Sequence, residues 1–428
     1  MIDLKDLREN PQSYRENIKK RFKSPEIVDS VLALDSKWRE LKFKADRFRG
    51  ERNKLSEQIN QEKKKGKNVS SLIKQAQEKL VLLEKTQREE QETYEKLKKE
   101  VNKIPNLMHT SVPLGKDAEQ NVVRRKWGKI PKQKFEMMNH AELLEKFNLA
   151  DFDAGRSNAG QTFNYLIGDM ALLDYALQRY GLEFITKKGF IPIVPPMLLN
   201  FETLLSVLNG LEDFENVVYK IEKEDLYLIG TAEHPLASLL KNKTLGKKEL
   251  PIKLCAVTPC FRKEVGAHGL DTKGLFRMHQ FNKVEQVVFC AEENSYKLIE
   301  EMLKITEDFF KSLKIPFRVI EICSGDLGAK FSKQYDIEAW FPRQGKYAEV
   351  TSAGNCTDFQ ARALNTKYIE GNEKKYVHIL NNTMVATSRA MVAILENYQQ
   401  KDGSVLVPKV LQKYMNGKKV IGGLKKKK

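Results

Sequence analysis

The chain has 428 residues, enough for two domains and a sizeable core. Lys and Arg number 74 against 57 Asp and Glu, a formal charge of +17 that suits a polyanionic partner. No apolar run is long enough to span a bilayer, and Met1-Ile2-Asp3-Leu4-Lys5-Asp6 lacks the apolar core of a signal peptide, so a soluble protein with no membrane partner is expected.

The five cysteines (255, 260, 290, 323 and 356) form no C-x-x-C pair and no disulfide framework, as expected of a reduced, cytoplasmic protein. Six histidines without metal-ligand spacing predict no structural zinc.

In chain order, residues 1 to about 30 read as a short helical preface interrupted by Pro11 and Pro25. The period then changes. Trp38, Leu41, Ala45, Phe48, Arg52, Leu55 and Ile59 fall on alternating steps of three and four, as do Ile73, Ala76, Leu80, Leu83, Gln87, Glu90, Tyr94, Leu97 and Val101. These are two coiled-coil seams.

The break from Glu62 to Ser71 holds Lys63-Lys64-Lys65-Gly66-Lys67 and cannot extend a seam, so an antiparallel helical hairpin is expected. Each arm would be on the order of 45 Å long at 1.5 Å per residue. A dimerisation coiled coil is the alternative, weakened because two equal seams around one turn satisfy each other. Lys42, Lys44, Arg47, Arg49, Arg52 and Lys54 face outward. Singly they read as a solvated face; together on a projecting rod they suit RNA phosphates.

Ile104-Pro105-Asn106-Leu107 and Val112-Pro113-Leu114-Gly115 punctuate the end of the hairpin. They place a domain boundary between an arm of residues 1–112 and a second domain of residues 113–428. Leu166, Met170, Leu173 and Leu177 then mark a long amphipathic helix. In Gly189-Phe190-Ile191-Pro192-Ile193-Val194-Pro195-Pro196 the prolines forbid a helix and confine any strand to an edge or an end.

A strand-like run, Leu226 to Gly230, leads to Thr231-Ala232-Glu233. A hydroxyl and a carboxylate at a strand end can bind a substrate ammonium; a helix N-cap at Thr231 is the competing reading. Next, Ile252 to Gly266 and Phe276 to Phe289 read as an antiparallel pair joined by the polar segment 266–274, and alternation sends Arg262 and Glu264 to one face. Arg262, Arg277, Glu264 and Glu285 together are costly unless they pair with one another or with a ligand. Near the C-terminus, Leu380 to Leu395 is a polar turn entering a helix with Arg389 in its first turn. There an arginine opposes the helix dipole and calls for an anion. Residues 425–428 are an all-lysine tail.

Phe261-Arg262-Lys263-Glu264, Phe276-Arg277 and His279-Gln280-Phe281 resemble the second signature motif of class II aminoacyl-tRNA synthetases. The spacing to Val284-Glu285 is similar to that of the seryl-tRNA synthetases within that class. Gly189 to Pro196 resembles the first motif, and Leu380 to Leu395, with Arg389, the third. The resemblance implies an α+β fold: an antiparallel β-sheet catalytic domain flanked by helices, with an N-terminal antiparallel coiled-coil arm that embraces the long variable arm of tRNA(Ser), assembled as a homodimer.

The implied reaction activates L-serine with ATP to seryl-adenylate and transfers serine to the 3′ end of tRNA(Ser). Arg262, Glu285 and Arg389 would be the catalytic residues. Serine would be met by Thr231, Ala232, Glu233, Arg262, Glu285 and Thr383. ATP would be met by Arg262, Lys263, Glu264, Phe276, Arg277, Met278, Glu349, Val350, Thr351, Ser352 and Arg389. Glu349 and Ser352 supply hard oxygens for Mg²⁺ on the ATP phosphates. Arginine's planar fork suits carboxylate and phosphate. Two other classes are weighed: a synthetase relative that charges a carrier protein, which would lack the arm, and a non-catalytic RNA-binding protein, which would lose Arg262, Glu349 or Arg389.

Overall fold

The computed structural model describes residues 1–132, 134–208, 216–264 and 274–422. The linking segment 265–273 and the lysine tail 425–428 lie outside the described residues. The chain divides into two compact units, Ile2–Pro105 and Asn106–Lys428, the second including Met1.

The first unit is all helix: α1 (Leu4–Glu9), α2 (Pro11–Lys20), α3 (Glu26–Lys64) and α4 (Ser70–Val101). Pro11 opens α2 at a position whose N–H needs no partner, and Pro25 sits at the N-terminal boundary of α3. The long helices form the expected hairpin. Trp38 meets Tyr94 at 5.4 Å between ring centroids, and farther along Glu51 meets Lys79 at 2.6 Å, an antiparallel register. Gly66, at φ +72°, closes α3: its N–H donates to Lys63 O and the Lys67 N–H to Glu62 O, a cap that favours glycine.

The seam of α4 differs from the expectation, with Ile73 and Leu80 exposed near its start. Thr93, not Tyr94, is buried between Leu83 and Leu97, and Gln87 is exposed. A step of three or four fits several residues in so polar a run, and the partner helix selects among them. Three of the six outward cations lean on acidic neighbours of their own helix: Lys44 on Glu40, Arg47 on Glu51 and Arg49 on Asp46. Such exposed pairs are weak and open to exchange.

The second unit is built on an eight-stranded sheet among the described residues: β1 (Val122–Trp127), β2 (Ile191–Pro192), β3 (Ile252–Phe261), β4 (Gln280–Cys290), β5 (Phe317–Glu321), β6 (Lys333–Phe341), β7 (Lys346–Asn355) and β8 (His378–Ala386). Their order is β1-β5-β6-β7-β8-β4-β3-β2, and all neighbours are antiparallel except β3 and β2. The proline-flanked β2 takes the edge, where a missing N–H is tolerated. Every residue of central β8 is buried, as in a strand covered on both faces.

Packed against the sheet are α5 (Asp169–Thr186), α6 (Glu233–Ser238), α7 (Ser295–Ser312) and α8 (Thr387–Asn397). Met170, Leu173 and Leu177 lie in α5 and join the main core with Val284, Val288 and Leu380 of the sheet. Leu166 precedes that helix, in a two-residue strand.

Local irregularities redirect side chains around β3 and β7. Strand β3 ends at Phe261, so Arg262 and Glu264 do not share a face by alternation; Glu264 has φ +49°, and a turn redirects it. In β7, Ile337 faces Thr351 while Glu338 faces Glu349, which leaves Val350 as a bulge. The extra residue re-phases the pleat between Glu349 and Ser352, three positions apart.

Candidate active site

A cavity of about 310 Å³ opens where β3, β4, β7 and β8 meet the starts of α6 and α8. It gathers chain segments more than a hundred residues apart. Of the residues singled out from sequence, Thr231, Glu233, Arg262, Glu264, Phe276, Arg277, Met278, Glu285, Glu349, Val350, Thr351, Ser352, Thr383 and Arg389 line it. Ala232 and Lys263 do not. Ala232 is fully buried at the N-terminal boundary of α6, and the Lys263 backbone N–H donates to Val217 O at 2.9 Å.

At the floor, β4 and β8 pair so that Glu285 stands opposite Thr383. Glu285 Oε1 accepts from Thr383 Oγ1 at 2.9 Å and from Thr231 Oγ1 at 3.1 Å, and it forms an ion pair with Lys283. Thr231 Oγ1 also accepts the Glu233 N–H at 3.3 Å. The capping role and the pocket role expected as alternatives for Thr231 thus coexist in one hydroxyl.

Glu233 is not free to receive a cation alone. Its Oε1 lies 2.6 Å from the Lys330 ammonium and accepts from Gln360 Nε2 at 2.9 Å. Burial opposes its charge, but Lys330, with a hydrogen bond from Gln360, holds the carboxyl below its usual range. Beside it His234 is buried with Nδ1 unpartnered, and desolvation drops its pKa to about 3, so it is neutral. Burial and the Arg262 guanidinium lower Lys283 to about 7.

The two arginines stand on the walls. Arg262 Nε donates to Gly230 O at 3.1 Å, and its guanidinium lies 5.4 Å over the Phe281 ring. Arg389 donates to Glu349 O at 3.1 Å, meets Glu349 Oε1 at 3.2 Å and lies 5.3 Å over Phe276. Neither is locked in a buried carboxylate pair: Arg262 is held by a carbonyl, and Glu349 is exposed. Phe276 is half-buried and packs edge-on against Phe341. Arg277 and Glu264 approach to 4.0 Å, a loose exposed contact.

Glu349 and Ser352 both reach the cavity across the bulge, and Ser352 Oγ accepts from Gln334 Nε2 at 3.1 Å. Among the described residues no group of three or more His, Cys, Asp or Glu could hold a metal by itself. One carboxylate and one hydroxyl instead match the sparse protein share of a Mg²⁺ shell that phosphates and water complete.

Sequence reasoning missed Lys283, Lys330, Gln360, His234 and the buried Asp336, whose carboxyl is raised by burial and by Glu349. Only Lys283 left a local trace, two residues from Glu285 and so on the same face of β4.

The chain has known relatives. A family model described as "tRNA synthetase class II core domain (G, H, P, S and T)" matches residues 217–398, and one described as "Seryl-tRNA synthetase N-terminal domain" matches residues 1–108. The chain is 45% identical over 422 residues to the serine--tRNA ligase of Methanocella arvoryzae, covering 97% of this chain and 99% of that one. Seryl-tRNA synthetase from Pyrococcus horikoshii, solved with ATP, superposes with a TM-score of 0.88 at 42% identity, over 99% of this chain and 100% of the other. The cytoplasmic enzyme of Naegleria fowleri, solved with AMP, gives 0.82 at 35% identity over 97% and 96%. With both units matched and the likeness running end to end, this chain belongs to the seryl-tRNA synthetase family of class II aminoacyl-tRNA synthetases.

Proposed function

We propose that the chain is a serine--tRNA ligase, which condenses L-serine with ATP to seryl-adenylate and pyrophosphate and then passes the seryl group to the 3′ end of tRNA(Ser). The observation that carries this is the single cavity in which Arg262 and Arg389 stand across from the Glu285–Thr383–Thr231 cluster.

Arg262 binds the serine carboxylate and the α-phosphate together, which brings nucleophile and phosphorus into line and offsets charge growing on the phosphate oxygens. Arg389 takes the outer phosphates, and Arg277 assists at the rim. Phe276 stacks on the adenine, which Glu264 and the Met278 backbone recognise by hydrogen bonds. Glu285 receives the serine ammonium and hydroxyl, with Thr383 and Thr231 fixing its orientation. A pocket built to hydrogen-bond a hydroxyl disfavours alanine by about 10⁴ or more. Glu349 and Ser352 would hold Mg²⁺, which neutralises phosphate charge when bound.

The helical arm is the tRNA-binding element; its outward cations exchange weak side-chain partners for phosphates. A homodimer through the Gly189–Pro196 segment is supported by Ile191, Val194 and Met197, apolar residues left exposed at and beside the sheet edge, Val194 at 96%. No helix among the described residues is long and apolar enough to cross a membrane, in keeping with a cytoplasmic enzyme.

ATP–pyrophosphate exchange with serine, threonine, alanine and glycine tests the reading. Exchange with serine well above the others is expected. Exchange with none refutes it, and a preference for alanine overturns the role of Glu285.

A further inference from the structure

Lys283 has no role in the reaction as described. Alternation puts it with Glu285 on one face of β4, and its ammonium is ion-paired to Glu285 Oε1 with side-chain exposures of 10% and 3%. That oxygen also takes both threonine hydroxyls. One carboxylate oxygen therefore collects an ammonium and two hydroxyl donors, the same donor types that serine presents.

Resting on the serine reading of this cavity, we infer that Lys283 is a positioning residue that stands in for the substrate ammonium before serine binds, holding Glu285 ionised and aligned until serine takes its place on Oε1. A buried carboxylate with no counter-ion takes up a proton, and a protonated Glu285 would no longer select an ammonium. Two ammonium groups on one oxygen repel each other, so serine binds by exchange and not by addition.

The surroundings favour that exchange. In the neighbouring strands Lys283 is paired with Thr258 and Ala386, neither ionisable. The charged groups acting on it are Arg262, which repels it, and Glu233 and Glu349, which attract it, besides Glu285 on its own strand; the nearby Cys260 thiol is kept neutral by burial. Burial and Arg262 bring its pKa to about 7, so the lysine can shed its proton as the substrate's charge arrives.

The test is serine-dependent ATP–pyrophosphate exchange by the full chain from pH 6 to 9, with ATP binding and thermal melting as folding controls. In Lys283→Met, which keeps an unbranched stem, serine KM should rise at least tenfold at pH 6.5, the defect shrinking above pH 8, where the wild-type lysine is itself mostly uncharged. ATP KM should stay within twofold. Lys283→Arg, which cannot shed its proton, should raise serine KM across the range. If Lys283→Met does not fold, Lys283→Gln is measured in its place with the same expectation. A serine KM within twofold of wild type at every pH overturns the inference, as does an ATP KM that rises as much as serine KM, which would make Lys283 a phosphate ligand. Wild-type protein without serine-dependent exchange overturns the serine reading and this inference with it, whereas a silent Lys283→Met overturns the inference alone.

Discussion

Lys330→Met is the sharpest probe of how the cavity is held together. Lys330 and Glu233 are 6% and 9% exposed and 2.6 Å apart, and removing the lysine leaves a buried carboxylate whose surviving hydrogen bond is to Gln360. Breaking one side of a buried pair costs about 3–5 kcal/mol. The Gln360 bond is present before and after the substitution and cancels from the difference, so a loss of about 3–5 kcal/mol is expected. Because the pair interacts directly, Glu233→Gln with Lys330→Met should recover most of it, a coupling above about 2 kcal/mol.

The assay is urea unfolding followed by tryptophan fluorescence in a Trp38→Phe background. The two tryptophans left, Trp127 and Trp340, both lie in the catalytic unit. The deficit of the single variant should narrow as pH falls toward 5, since an unpaired buried carboxyl takes up a proton. A loss below about 1 kcal/mol, or a double variant no better than the single, would show that the ion pair does not hold Glu233 in place.

Three further outcomes are expected. Arg262→Ala should lower kcat for exchange by about 10²–10³ or more, the effect of removing a charge-stabilising donor; near-normal exchange would move the reacting centre elsewhere. Deleting residues 31–102 should spare serine-dependent exchange yet stop tRNA charging, and retained charging would remove the arm from tRNA binding. His234, at about 3 in the fold against 6.5 as its ordinary value, gains a proton only on unfolding between those pH values. Stability should therefore fall as pH drops, by about 1.5 kcal/mol from pH 6.5 to 5 through this residue. His234→Gln should remove that part of the slope, and an unchanged pH dependence would show that His234 is not buried in its neutral form.

Tertiary pairing overrode several local expectations. The β3 strand was expected to carry Arg262 and Glu264 by alternation, but it stops at Phe261, and the left-handed Glu264 sets their directions. Glu349 and Ser352 reach one cavity because β6 and β7 pair with Val350 bulged out, a register that neither strand states alone. In the arm, Thr93 was buried instead of Tyr94 for a similar reason: two candidates suited the period, and α3 chose between them.

What the linear chain determined was local and repetitive, together with one dispersed signature. The hairpin follows from two seams and a glycine turn because a helical period repeats every few residues. The arginines could be picked out because a guanidinium in the first turn of a helix or at a strand end calls for an anion. Only the tertiary structure decided how the buried acids are neutralised: Lys330 and Gln360 reach Glu233 from about a hundred residues away, and Lys283 occupies Glu285. A buried charge must find its partner in space, and distance along the chain sets no limit on where that partner comes from.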